Sequence, residues 1–384
     1  MKPLDHAALS AVMAPVQTAR GLPNAFYTDG QVFEQERKLV FENNWSCIGF
    51  GKDVPNPGDA KPVTFMGIPL FTVRDRDGQI RVFQNVCRHR GVKLIEEPAH
   101  FKGVIRCPYH SWCYGLDGAL RSTPHVGGVG HNTHPGIDRD ALGLFEVRSK
   151  VWMDIVFVNL SGDAPAFEGA AGRMLERWSE FDGKPVFHGG PKSSLSFEVK
   201  CNWKLAVENF CESYHLPWIH PGLNSYSKLE DHYNIVEPNA YSGQGTQVYN
   251  PQLDASGRRF ADFDGLSSKW DAAAEYIAFY PNALLGVHRD HFFAIYLEPV
   301  DITTTREHIE LYYVNEDMCD DGMADLRDAH SEAWREVFSE DVFVIERMQA
   351  GRHAPAFDGG KFSPVMDEAT HCFHHWVAGQ FMNG

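Results

Sequence analysis

The 384-residue sequence has no apolar run near the roughly 18 residues that a membrane-spanning helix needs. Its first twenty residues carry Lys2, Asp5, His6 and Arg20 without a continuous apolar core, so no secretory leader is read there. Positive charge is also short: 35 Lys and Arg stand against 51 Asp and Glu, a formal charge of −16. That excludes the basic stripe a nucleic-acid binder needs. Cysteine is too sparse for a disulfide framework, with eight spread over positions 47, 87, 107, 113, 201, 211, 319 and 372. Reduced thiols in a cytoplasmic protein, serving as core residues or metal ligands, are expected. No internal repeat, low-complexity tract or glycine-rich phosphate loop occurs, so no nucleotide site is expected on this chain.

What is present describes a soluble globular chain, 43% apolar and 22% charged, long enough for two cores. Residues 1–40 read as a helical lead-in, clearest over Val32 to Phe41. Residues 41–160 are β-rich. Strands are predicted at Lys61 to Arg74 and Ile80 to Val86 around the turn Asp75–Gly78, then at Leu142 to Val147 and Val151 to Leu160. Composition shifts near Ser161–Pro165, and residues 161–384 form the second domain. A helix is predicted there over Glu168 to Phe181, strands at Tyr276 to Val287, His291 to Val300 and His308 to Val314, and a long helix over Ala324 to Ala350. The fold class is α+β: an all-β domain, then an antiparallel sheet covered by helices.

Two short loops in the β-rich half carry chemistry. Cys87-Arg-His89 and Cys107-Pro-Tyr-His110 each offer one thiolate and one imidazole, with seventeen residues between them. Zinc held by two Cys and two His is one reading, but zinc fingers pair like with like along the chain. Mixed loops suit a two-iron cluster with two Cys on one iron and two His on the other, the Rieske [2Fe–2S] ligand set. Gly91 permits a tight first loop, and Pro108 stiffens the second. Cys113 lies outside the spacing and reads as a core thiol.

The second domain holds Cys201 to Pro221, CNWKLAVENFCESYHLPWIHP. Trp203, Ala206, Val207, Phe210 and Tyr214 recur at helical spacing, and Pro217 limits how far that helix runs. Leu205, Glu208, Asn209, Glu212 and His215 fall on another face, with His220 just beyond the break. Glu212 with two histidines could be a polar helix face whose imidazoles cap a turn. It could equally be most of a 2-His-1-carboxylate iron site, which leaves positions open for dioxygen. In the last long helix Asp341 falls inside the apolar stripe of Trp334, Val337, Phe338, Val342, Ile345 and Met348. A carboxylate there is costly unless paired or metal-bound. Asp341 is thus a candidate third ligand; pairing with Arg335 or Arg352 is the alternative. Glu340 and Glu346 lie off the stripe and read as solvated.

With both sites in view, the chain resembles the oxygenase (α) component of Rieske non-haem iron oxygenases, through CRHR…CPYHSW, NWKLAVENFCESYH-x4-H and SEDVFVIERMQAG, over nearly its whole length. The resemblance implies that Cys87, His89, Cys107 and His110 bind the cluster, and that His215, His220 and Asp341 bind mononuclear Fe(II). It implies that Glu212 bridges to the cluster of a neighbouring subunit and that Asn209 lies close to the iron. Glu at position 212, rather than Asp, is shared with the carnitine- and betaine-type members. A head-to-tail trimer of α subunits is expected.

O2 is the implied cosubstrate. NAD(P)H acts only through a separate flavin and iron–sulfur reductase or a ferredoxin, since no flavin or nicotinamide motif occurs here. The substrate expectation is a small quaternary or methylated ammonium compound, hydroxylated and N-demethylated, with Trp218, Tyr280, Phe293 and Trp376 among the rings that could enclose it. An aromatic-acid ring hydroxylase or O-demethylase is the alternative. It needs a cavity-facing cation, for which Arg258, Arg259 and Arg289 are available. An electron-transfer or redox-sensing protein is the alternative of another class.

Overall fold

The computed structural model describes residues 6–357 and 359–383. The chain divides into two compact units. Residues 47–163 form one; the other joins the N-terminal segment up to Ser46 to everything from Ala164 onward. Among the described residues no helix is long and apolar enough to cross a membrane.

The smaller unit is all-β. Its main sheet places seven strands in the spatial order 46–50, 155–159, 146–152, 80–84, 68–74, 59–65 and 99–100. The strand expected over Lys61 to Arg74 is in fact two, Asp59–Phe65 and Ile68–Arg74. Met66 and Gly67 both take positive φ, 48° and 78°, which makes the tight hairpin turn whose twist matches the strands it joins. Met153 and Asp154, at 45° and 65°, do the same between Glu146–Trp152 and Ile155–Asn159, the strands expected over Leu142 to Val147 and Val151 to Leu160 with later starts. A second sheet of three short strands, 104–106, 113–115 and 120–122, carries the Cys107–His110 loop between its first two strands, while the Cys87–His89 loop follows strand 80–84 of the main sheet.

The larger unit is an eight-stranded sheet under helices. Its strands run 187–188, 304–313, 291–301, 283–287, 274–279, 241–246 and 232–237 across the sheet, with 194–199 also paired to 304–313. The expected strand over Tyr276 to Val287 is broken at Tyr280–Asn282 into a hairpin, and the helix expected over Glu168 to Phe181 is two short pieces broken at Ala171. Four helices matter for the site: α1 (Trp203–Cys211), α2 (Leu216–Ile219), α3 (Ala324–Gly351) and α4 (Glu368–Asn383). α1 has contacts with α3, with α4 and with the sheet, and seven of its nine residues are buried.

A buried polar network ties the N-terminal segment to these helices. Glu36 accepts from Lys204 Nζ and, at 2.9 Å, from Trp203 Nε1. Tyr27 donates to Glu208 at 2.5 Å, and Arg352 Nη2 reaches the other Glu208 oxygen at 3.2 Å. Burial alone would raise the Glu208 carboxyl, but His374 and Arg352 beside it hold it down at about 2. The Glu36–Lys204 pair is fully buried on both sides. Glu36→Ala should therefore destabilise this unit by about 3–5 kcal/mol, because it strands a buried ammonium. The double change Glu36→Leu with Lys204→Met should cost much less. Urea unfolding of both variants checks this; equal losses would show that the charge pair is not what matters.

Candidate active site

In the smaller unit the two loops fold alike. Cys87 N donates to Val92 O and Cys107 N to Trp112 O, each at 2.8 Å. Gly91 N returns to Cys87 O at 3.0 Å and Ser111 N to Cys107 O at 3.1 Å. The fourth residue after each cysteine is left-handed, Gly91 at φ 74° and Ser111 at φ 57°. Like residues meet in space although the loops mix them in sequence. Burial raises the Cys107 thiol, and the Cys87 thiol beside it adds to this. The His89 and His110 rings lie 4.7 Å apart, with His89 stacked on Trp112 at the same distance.

His110 Nδ1 is buried with no hydrogen-bond partner, as a nitrogen meant for a metal would be. Both thiols are free and 2% exposed. Thiols on one side and imidazoles on the other fit a [2Fe–2S] cluster with two ligands per iron. Tyr114 OH accepts from Arg88 N at 3.0 Å and shares a hydrogen bond of 3.2 Å with Cys87 Sγ.

In the larger unit Asn202 caps α1 by accepting from Lys204 N at 3.1 Å. The helix stops at Cys211, well short of Pro217, because Glu212 turns extended (φ −126°, ψ 155°). The Glu212 carboxylate causes the break locally: Oε2 accepts from Tyr214 N and, at 3.2 Å, from His215 N. Pro217 falls in the first turn of α2, where a missing N–H costs nothing. Tyr214, placed in the apolar stripe by its spacing, is 44% exposed as a result.

This break aims the histidines. His215 and His220, at either end of α2, meet Asp341 from the middle of α3, and their ligand atoms lie within 4.8 Å of one another. His220 Nε2 is 3.0 Å and His215 Nε2 3.7 Å from Asp341 Oδ1. Asn209 Nδ2 donates to the same Oδ1 at 3.1 Å. The far nitrogens are held by acids, His215 Nδ1 by Glu212 at 2.6 Å and His220 Nδ1 by Glu340 at 2.7 Å. Burial would lower both imidazoles, yet the acids around them raise both above the ordinary histidine value. Two imidazole nitrogens and one carboxylate oxygen converging on a point is the donor set for non-haem Fe(II).

Glu340, read from the pattern as solvated, is instead turned inward onto His220. Glu346 likewise accepts from Lys200 N at 3.0 Å. Arg352 serves Glu208, and Arg335 pairs with Glu332.

The triad opens into a cavity walled by Phe210, Tyr276, Phe293, Trp334 and Phe338. Of the four rings singled out by sequence, Phe293 lines it. Tyr280 and Trp376 pack on each other at 4.8 Å outside it, and Trp218 is 70% exposed against Tyr214. Trp334, Phe338 and Tyr276 were missed as cavity residues. The first two share the α3 stripe of Asp341, so the spacing that exposed the acid also pointed to them. His232 also lines the cavity, but Gln244 and Ser227 occupy both its nitrogens. Arg258, Arg259 and Arg289 line a different cavity, paired with Asp254, Asp325 and Asp262.

A β-unit that presents two Cys and two His for a cluster, on the same chain as a facial iron triad, defines a Rieske-type oxygenase. The comparisons with known proteins bear this out. Residues 188–382 match the ring hydroxylating alpha subunit catalytic domain and residues 44–133 the Rieske [2Fe-2S] domain. The chain belongs to the ring-hydroxylating α-subunit family. It is similar to the carnitine monooxygenase oxygenase subunit of Escherichia coli K12, 29% identical over 89% of this chain and 87% of that one. Chloroplastic choline monooxygenase of Spinacia oleracea is 24% identical over 94% and 79%. The quaternary ammonium Rieske monooxygenase CntA shares the fold, with a TM-score of 0.78, 24% identity and 99% of both chains covered. The protein is therefore an oxidoreductase with a Rieske [2Fe–2S] cluster and a mononuclear iron, of a family that uses O2.

Cys87→Ser should abolish the visible absorption of the cluster while iron remains at the triad. Asp341→Ala should do the reverse. Metal analysis with absorption spectra checks both, and loss of both metals in either variant would show that the two sites are not separate.

Proposed function

We propose that the protein is the terminal oxygenase of a multicomponent system and hydroxylates a small quaternary or methylated ammonium compound, most simply at an N-methyl group. Cys87, His89, Cys107 and His110 hold the cluster in this reading, and His215, His220 and Asp341 hold the iron. Domain roles follow: 41–160 is the electron-carrying domain and 161–384 the catalytic one, with 1–40 packed on the latter. Electrons come from NAD(P)H through a separate flavin and iron–sulfur reductase, with or without a ferredoxin. The α subunits work in the cytoplasm as a head-to-tail trimer, in which Glu212 links one subunit's iron histidine to the next subunit's cluster.

The observation that carries the substrate class is the wall of the iron cavity. Among the described residues five Phe, Tyr and Trp rings line it, and no Arg or Lys does. An aromatic carboxylate bound there would be buried without a partner, a cost of several kcal/mol. A quaternary ammonium has no N–H to satisfy and gains roughly 0.5–2 kcal/mol over each well-placed ring face. The carboxylates Asp341, Glu212 and Glu340 outnumber the charge of a ferrous ion by one, which favours a cationic headgroup beside the metal. The relatives named above oxidise carnitine and choline, both quaternary ammonium compounds.

When bound, the ferrous ion activates dioxygen and the cluster supplies electrons one at a time. The residues do the rest. Glu212 and Glu340 hold the two Nδ1–H groups, so that both Nε2 lone pairs face Asp341. Asn209 fixes the carboxylate oxygen, and the rings keep bulk water from the reacting carbon. One O2, two electrons and two protons put one oxygen on the methyl carbon and release the other as water. The N-hydroxymethyl product then breaks its C–N bond to give formaldehyde and the demethylated amine.

The direct test is oxygen uptake by the reconstituted enzyme with a surrogate reductase, offered choline, carnitine, glycine betaine or benzoate. Uptake with a quaternary compound and formaldehyde in step is expected. Uptake with benzoate alone would overturn the reading. Trp334→Leu should raise KM for the cation about tenfold, the loss of one good ring contact. Glu212→Gln should keep both metals and lower turnover roughly 10–100-fold; normal coupled turnover would remove Glu212 from the electron path.

A further inference from the structure

Two successive residues of α3 reach the same imidazole. Asp341 Oδ1 lies 3.0 Å from His220 Nε2, and Glu340 Oε2 lies 2.7 Å from His220 Nδ1. Consecutive helical side chains diverge by about 100°, so the two acids straddle the ring from one rigid element. His215 is gripped differently, by Glu212 from its own loop, and that carboxylate also fixes the Tyr214 and His215 backbone. Glu340 is under no steric compulsion to turn inward. Its side chain is 29% exposed, and it lines an open groove together with Glu336 and Tyr226 that shares Leu223 and Val337 with the iron cavity. A carboxylate in such a place stays in water unless a partner outbids the solvent.

We propose that Glu340 is a positioning residue for the mononuclear metal. A carboxylate only accepts hydrogen bonds, so a neutral His220 must carry its single proton on Nδ1, which leaves the Nε2 lone pair turned toward Asp341 and His215. A metal at Nε2 makes the Nδ1–H more acidic and strengthens its bond to Glu340. The acid also supplies the last negative charge that leaves the loaded site anionic. The inference rests on the metal assignment above and adds to it a residue on which the metal's retention depends.

The test reads the metal rather than turnover. In full-length protein with its [2Fe–2S] cluster in place, the Fe(II) dissociation constant of the second site is measured by competition with a chelator. Wild type, Glu340→Gln, Glu340→Ala and Glu336→Gln are compared. Glu340→Ala should weaken Fe(II) binding roughly 10–100-fold. Glu340→Gln should fall between, since its amide oxygen still accepts from Nδ1–H without the charge. Glu336→Gln, one turn earlier in the same groove, should stay within about twofold, the scatter expected of a surface change. The spin-3/2 EPR signal of the nitric oxide complex should change in Glu340→Ala, while the cluster absorption does not. Wild-type affinity and an unchanged signal in Glu340→Ala would overturn the proposal while leaving the triad assignment intact. Iron held as well by the His215→Ala and His220→Ala variants as by the wild type would overturn both.

Discussion

The placement of Asp341 is the constraint on which the catalytic unit depends. Its carboxylate sits among rings, 3.0 Å from one imidazole and 3.7 Å from another. In that setting an acid needs charge or hydrogen bonds around it. Asn209 from α1 supplies one bond, and the imidazoles of His215 and His220, raised by the acids around them, supply positive charge in the metal-free site. α1, the loop after it and α3 must therefore hold a fixed relation. A shift of one residue along α3 would carry the acid about 100° round the helix and out of the cavity.

The buried ionic network behind α1 serves the same end. Lys204 and Glu208 lie one turn apart on the helix that also carries Asn209, and both are held by the N-terminal segment, through Glu36 and Tyr27. Arg352, just past the end of α3, takes the second oxygen of Glu208. The two helices that bring Asn209 and Asp341 together are thus coupled through one carboxylate. Apolar packing of similar volume could be as stable, but ion pairs with directed bonds fix a helix in register as well as in place.

Much of this was legible in the sequence because metal chemistry restricts residue type. Few arrangements use one thiol and one imidazole in each of two loops, and Asp341 stood out because its stripe was otherwise apolar. What could not be read was set by backbone conformation and by depth. The helix after Cys201 looked continuous to Pro217 because spacing ignores a carboxylate that caps its own downstream backbone, as Glu212 does. Glu340 looked solvated because helical phase locates a residue's face and not a partner arriving from another loop. Tyr280, Trp376 and Trp218 looked as suitable as Phe293 because an aromatic residue shows no sign in the sequence of which cavity or surface it faces. The strand over Lys61 to Arg74 looked unbroken because Met66 hides a positive φ that only its neighbour Gly67 suggests.

The wall and the charges around the triad limit what can react there. A ring-lined cavity repels anions by denying them a partner, yet it would admit neutral aromatic molecules as readily as cations. What separates those two classes is the pair of acids behind the histidines. Without Glu212 and Glu340, a ferrous ion with one carboxylate leaves a net positive site that disfavours a cation a few ångströms away. With both, the sign reverses, and at that range in a partly dry cavity one unit of charge is worth a few kcal/mol. In the proposed reading, the same two side chains that orient the imidazoles thereby bias the site toward an ammonium headgroup, so that one arrangement serves both metal geometry and substrate charge.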